Sequence, residues 1–337
     1  MRARLVIAVL VVMGLAYGAV SGWRHLVRYG HAQFRATVPL VFDDDSAEAM
    51  FPSFEVARRS STYDLEGSRQ VTIDNPFGNV AVGSGGSQVT VESVAYTHAR
   101  TRQAAAAKAA AFRVVKTRQA DGPLTIAVIG DREVGHVTID LTVRVPADIA
   151  LQVKAEAGNV QVADLRGPVT VGVGSGDVDA RRLQGPADLS TESGNVVVGG
   201  AARGLVAHTG SGNLRLSDVS GDTSARSDSG NTELTVLSSR QITVRGRSGD
   251  MTVTVLQPFS GRLEARTESG NVGLSLAPGS DCHVSVVSRS GNAECTLPLE
   301  DMLRAGQAIT GRLGRGTGEV TVRTESGNAT VRGTEGR

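Results

Sequence analysis

A glycine followed by asparagine or aspartate, usually preceded by serine, recurs through the second half of this 337-residue chain. The pairs are Gly158-Asn159, Gly176-Asp177, Gly194-Asn195, Gly212-Asn213, Gly230-Asn231, Gly249-Asp250, Gly270-Asn271, Gly291-Asn292 and Gly327-Asn328. The first five stand 18 residues apart, and the later intervals are 19, 21, 21 and 36. The longest interval contains what reads as a degenerate copy at Gly318-Glu319. A fixed period of this length marks a repeat architecture, with insertions between constant strands accounting for the drift.

The positions seven and five before each glycine, and two and four after it, are nearly all apolar. Around Gly176 they are Val169, Val171, Val178 and Ala180, and around Gly270 they are Leu263, Ala265, Val272 and Leu274. Alternation of period two on both sides of a Gly-Asn corner predicts two short strands per repeat, each with one buried face. Three before the glycine stand Thr191, Thr209, Ser227, Thr267, Ser288 and Thr324, small enough for a turn. A flat meander of such strands would leave an apolar face uncovered, and the region offers no helices to cover it. A solenoid closes the two faces on each other and stacks identical residues about 4.8 Å apart, including a column of corner asparagines.

The expected fold is therefore all-β, a right-handed parallel β-helix or β-solenoid with coils of about 18 residues. The template fits once more upstream, where Val71, Ile73, Val80 and Val82 flank Gly78-Asn79. Between that coil and the rest lies a small α/β insertion. It reads as a strand near Val89 to Val94, an Ala-rich helix from Thr101 to Lys116, and strands at Leu124 to Ile129 and His136 to Val145. The helix is expected to cover the N-terminal end of the solenoid.

Arg2 and Arg4 precede an uncharged run from Leu5 to Trp23, which spans about 28 Å as a helix and matches a hydrocarbon core. Its length and terminal Trp23 favour an uncleaved single-pass anchor over a cleaved signal, although Ala19 and Ser21 suit a signal peptidase. Arg24 and Arg28 leave the opposite topology open. The expected organisation is an anchor or signal at 1–30, a spacer at 31–69, the first coil with its capping insertion at 70–150, and the repeat domain at 151–333. The body is expected outside the cytoplasm, in the periplasm or at the cell surface.

The Ser-Gly-Asn repeats, the strand ending in Val145-Pro146 before Gly158-Asn159, and the single N-terminal apolar segment resemble a bacterial family of "putative adhesins" made of β-strand repeats. That family is catalogued as a domain of unknown function and is similar to the head domain of "putative" autotransporter adhesins. The resemblance covers roughly residues 70 to 333. It implies a parallel β-helix-like fold in an extracytoplasmic setting and supplies no catalytic residues.

Composition bears on chemistry chiefly through what is scarce. Aromatic residues make up 4% of the chain, and Phe259 is the only one beyond residue 150. A polysaccharide-active β-helix enzyme, the second alternative function, needs clustered carboxylates and rings on which sugars stack. The six histidines show no metal-ligand spacing, and there is no Cys-x-x-Cys, so neither metal nor cofactor is expected. A net charge of +1 gives no global reason to expect nucleic acid.

One local feature suits binding. Arg226, Arg245, Arg266 and Arg323 stand four before the corner glycines, with Arg247 and Arg289 two before. On one face they form a stripe suited to an anionic envelope polymer or a lipid head group, with an envelope protein as the other expected partner. The competing reading pairs Arg226 with Asp228, Arg266 with Glu268 and Arg323 with Glu325 as a solvated, balanced face. Cys282 and Cys295 both have inward parity, as a disulfide or as two buried thiols. The chain is thus expected to be a non-enzymatic adhesion or envelope-interaction module. Self-assembly through an uncapped last coil, ending at Thr334, is the alternative.

Overall fold

The computed structural model describes residues 52–118, 122–130 and 137–334. The expected anchor and the spacer up to residue 51 lie outside them. Of the residues assigned to the spacer, Ser53–Tyr63 form a strand, β1, that belongs to the body.

Two long, mostly parallel sheets of 13 and 14 strands lie back to back as a solenoid. Each coil contributes one strand to each sheet. In the coil around Gly194 these are β12 (Ala187–Ser193) and β13 (Val196–Ala201). Neighbours stack in strict parallel register, Leu189 facing Val171 on one side and Ala207 on the other. The alternation read from sequence sets the buried faces: Val169, Val171, Val178 and Ala180 are each no more than 1% exposed. A one-residue slip would turn every one of these outward, which fixes the register.

The corner has its own accounting of polar groups. At Gly194-Asn195, the Gly194 N–H donates to the Ser211 carbonyl at 2.9 Å and the Asn195 N–H to Asp177 Oδ1 at 2.7 Å. The Gly194 carbonyl accepts from Thr209 Oγ1 at 2.8 Å, and the Asn195 carbonyl from the Val178 N–H at 2.9 Å. The small polar residue three before the glycine is therefore a buried donor rather than only a space-saver. Gly194 has φ +148°, and a Cβ there would lie 2.1 Å from the Gly176 carbonyl oxygen. Both conformation and space restrict the site to glycine.

The corner amides build a continuous ladder, each side-chain oxygen accepting the next corner's N–H. It runs from Asp140 through Asn79, Asn159, Asp177, Asn195, Asn213, Asn231, Asp250, Asn271 and Asn328 to Asn292, with distances of 2.7–3.0 Å. This order departs from chain order at both ends. At the N-terminal end, β2 (Gln70–Phe77) and β3 (Val80–Ser84) lie between the coil of β6 (Leu124–Gly130) and β7 (Val137–Val145) and the coil of β8 (Ala150–Ala157) and β9 (Val160–Ala163). At the other end, β26 (Gly318–Ser326) and β27 (Ala329–Gly333) slot between the coil of β20 (Arg262–Ser269) and β21 (Val272–Leu276) and that of β22 (Cys282–Ser290) and β23 (Ala293–Cys295).

Two expectations are corrected by this threading. The last coil in sequence is internal, so it offers no free solenoid end. The outermost layer is instead β22 with an antiparallel hairpin of β24 (Glu300–Ala305) and β25 (Ala308–Leu313). Gly318 is not a degenerate corner either. It belongs to a second glycine column at the opposite edge, with Gly167, Gly185 and Gly261, where a Cβ would strike the backbone of the coil before.

At the N-terminal end, β4 (Val89–His98) and β1 extend one sheet antiparallel, while β5 (Phe112–Arg118) extends the other. Helix α1 (Arg102–Ala110), capped by Thr101 Oγ1 accepting from Ala104 N at 3.2 Å, buries Ala105 and Ala109 against them. It is shorter than expected because Phe112 to Arg118 pair with β6 as a strand, as the aromatic and β-branched Phe112, Val114, Val115 and Thr117 favour.

Two predictions follow from the corner geometry. Gly194→Ala is expected to lower stability by about 3 kcal/mol through overpacking and strain, whereas Gly83→Ala, with nothing within 4 Å of the added methyl, stays within about 0.5 kcal/mol of the parent in urea melts. Asn213→Ala, which orphans the Asn231 N–H, is expected to cost about 1–2 kcal/mol, while Asn213→Asp keeps an acceptor and costs far less by the same measurement.

Candidate interaction surface

Parity sends the residues four and two before each corner glycine outward from the 14-stranded sheet. Strands β16 (Thr223–Ser229), β18 (Gln241–Ser248), β20 and β26 are consecutive neighbours, and they place Arg226, Arg245, Arg266 and Arg323 side by side in register. Arg247 and Arg289 flank this row, so all six arginines share one face.

Four like charges in direct lateral register repel one another, and interleaved carboxylates offset this. Arg226 pairs with Asp228 at 3.0 Å and Arg245 with Glu264 at 3.1 Å. Glu325 holds three guanidiniums, those of Arg323 at 3.0 Å, Arg289 at 3.3 Å and Arg266 at 3.4 Å. Desolvation pushes the Glu325 carboxyl up, but Arg323, Arg289 and Arg266 outweigh it and hold the group below the usual carboxylate range.

Of the intra-strand pairs expected from sequence, Arg226 with Asp228 and Arg323 with Glu325 form. Arg266 instead reaches across to Glu325. The reason is the threading, which puts β26 and not β22 beside β20. Around Gly246 the face sinks into a shallow depression of about 400 Å³, lined by Arg226, Arg245, Arg247, Arg266, Glu264 and Glu268. The threonine expected in the buried column is replaced here by glycine, and Met251 Cε lies 2.5 Å from where its Cβ would stand.

A second concavity, of about 640 Å³, lies at the outer end of the same sheet. His283, Ser285, Thr310, Arg312, Arg315, Glu319 and Thr321 are among the residues that line it. Its charges are internally matched: Arg312 holds Glu300 at 2.7 Å, and Arg315 holds Asp281 at 3.2 Å. The Thr317 N–H at 3.0 Å, with Arg315, keeps the Asp281 carboxyl below its ordinary range against desolvation. Sequence reading missed this site because it exists only once the β24–β25 hairpin folds alongside β22. Among the described residues no group of three His, Cys, Asp or Glu side chains could hold a metal ion. Phe259 is buried, so among the described residues the repeat region exposes no Phe, Tyr or Trp ring.

The stacked coils bear on family. A family model described as Toastrack DUF4097 matches residues 137–332, more than half of the chain. The chain belongs to the Toastrack DUF4097 family. Among solved structures, this Toastrack chain is similar to a "putative cell adhesion protein" from Clostridium sporogenes ATCC 15579, at 10% identity and a TM-score of 0.24 over 82% of this chain and 99% of that one. A "putative adhesin" from Bacteroides fragilis NCTC 9343 aligns at 12% identity and a TM-score of 0.38 over 82% and 97%. Another from Parabacteroides distasonis ATCC 8503 aligns at 10% identity and 0.32 over 82% and 97%. No curated protein matches the chain significantly.

The two cysteines of this Toastrack body are unbonded in the structure, Cys282 buried and Cys295 half-buried. Burial pushes the Cys282 thiol up to about 11 and raises Cys295 as well. Both are expected to resist a thiol-specific colorimetric reagent at neutral pH in the native chain and to react fully after denaturation. Rapid native reaction of Cys282 would contradict that burial.

Proposed function

We propose that this Toastrack protein is a non-enzymatic, membrane-anchored module that works outside the cytoplasm, as an adhesin or envelope-interaction protein, and binds an anionic envelope polymer along the arginine stripe. The observation that carries the reading is the imbalance on one face: among the described residues the six stripe guanidiniums pair only with Asp228, Glu264 and Glu325, and Glu268 lines the depression beside them. Arg247 has no ion pair among the described residues. Parallel strands repeat these charges at about 4.8 Å, a spacing that a polymer of regularly placed anions can follow coil by coil. Exposed guanidiniums in weak, solvent-screened pairs exchange their carboxylates for a polyanion at little cost. The anchoring of the first 30 residues rests on the length and flanks of their apolar run.

Capture of the full chain on solubilised cell envelope, at low and high salt, tests this reading beside a variant carrying R226S, R245S, R266S and R289S. Salt-sensitive capture that the variant loses supports the stripe; equal capture by both chains removes it from the account. Glu325→Gln frees three arginines and is expected to tighten binding to a sulfated polymer by roughly two- to five-fold. Protonation does the same in the parent. Because the three arginines hold the folded carboxyl below the usual carboxylate range, Glu325 stays ionised through neutral and mildly acidic pH. As pH falls through the depressed value, binding to a sulfated polymer rises more steeply in the parent than in Glu325→Gln, which lacks that carboxyl.

A further inference from the structure

The two ends of the stack are finished differently. At the N-terminal end, edge strand β1 carries exposed Arg58 and Arg59 and a register shift between Glu55 and Ala57. A second copy of this edge turned about Arg58 and Arg59 would set arginine against arginine. At the opposite end, the 13-stranded sheet stops at the three-residue strand β23, while the 14-stranded sheet runs on to β24. Every residue of β24 is exposed, and Leu303 at 70% and Met302 at 56% are the most exposed large hydrophobic side chains among the described residues. The side of β24 away from β25 is an open strand edge.

The sequence of that edge is complementary to itself. Turning Asp301-Met302-Leu303-Arg304 about a two-fold axis between Met302 and Leu303 sets each Asp301 opposite an Arg304 and each Met302 opposite a Leu303. Opposite charges and apolar pairs directly across an antiparallel ladder each stabilise it. Asp301 is held only loosely at present, at 3.3 Å from an Arg312 nitrogen that already binds Glu300 at 2.7 Å. Arg304 makes a long bond of 3.4 Å to the Ala293 carbonyl.

We infer that β24 is a homotypic docking edge, on which a second copy of this chain pairs antiparallel, Asp301 to Arg304 and Met302 to Leu303, joining the two 14-stranded sheets into one. The partner is a second copy because the charge order matches its own reversal. The register irregularity between Glu300 and Leu303, with Asp301 at φ +51°, keeps the ladder short. The contact is therefore much smaller than the roughly 1,600 Å² of a stable complex, and association is weak and concentration-dependent. The proposal does not rest on the arginine stripe.

Full-length chains carrying M302C are mixed with full-length chains carrying L303C under mild oxidation, and disulfide-linked dimer is compared with that in each chain alone. At least five-fold more dimer in the mixture is expected, since this register puts 302 opposite 303. Equal dimer in all three samples, or none, overturns the register. The charges are tested separately by sedimentation over a concentration series. Asp301→Arg and Arg304→Asp are each expected to weaken association by facing like charges, and the double swap to restore it. A double swap no better than either single change refutes the pairing even if a cysteine variant folds poorly.

Discussion

Everything in this body depends on one hydrogen bond repeated at every corner, from a backbone N–H to the side-chain oxygen of the amide or carboxylate one coil away. Parallel strands leave their turns stacked on one another, and a turn's backbone donors have no ladder partner unless a side chain supplies one. An Asn or Asp oxygen has the reach to do so, and the glycine before it lets adjacent corners approach until a methyl group would collide. The buried hydroxyls of Thr191, Thr209 and Thr324 satisfy the glycine carbonyls from within. The apolar strands need only aliphatic side chains of moderate size, which is why a chain with few rings can support so long a core.

The ladder also explains the order of the coils. The Asn159 N–H donates to Asn79 Oδ1 across 80 residues of chain, so β4 to β7 of the intervening insertion lie outward at the end of the stack. Asp140 heads the column from within that insertion, where no Gly-Asn motif announces it. At the other end Asn328 bonds to Asn271, and Asn292 to Asn328, which fixes the late coil between two earlier ones. The side chains that neutralise the arginine face follow from this placement, since Glu325 meets Arg266 only because β26 lies beside β20.

The sequence was informative wherever local pattern and structure coincide. Period-two alternation identified the buried faces, and the same parity turns the arginines of β16, β18, β20 and β26 to the outer face of the 14-stranded sheet. It was uninformative about which coil neighbours which, because identical repeats present identical edges and nothing in Gly270 or Gly291 marks its spatial partner. The pairing of Arg266 with Glu325 and the concavity at His283 and Arg312 depend on that neighbour relation and were hidden for the same reason. The strand at Phe112 to Arg118 was hidden differently, an alanine-rich run masking a segment whose pairing with β6 decides its state.

The internal position of β26 and β27 has a consequence for how the body is assembled and damaged. A solenoid built in chain order can zip from one end, each new coil laid on a finished surface. Here the layer of β22 and β23 emerges before the layer that separates it from β20 and β21, and the slot between them must stay open, or reopen, for residues 318–333 to enter. Direct pairing of β22 with β20 is a near-native trap, since both present the same corner chemistry. A cut in the turn after Leu313 would likewise release a middle layer and leave the outer one without a foundation.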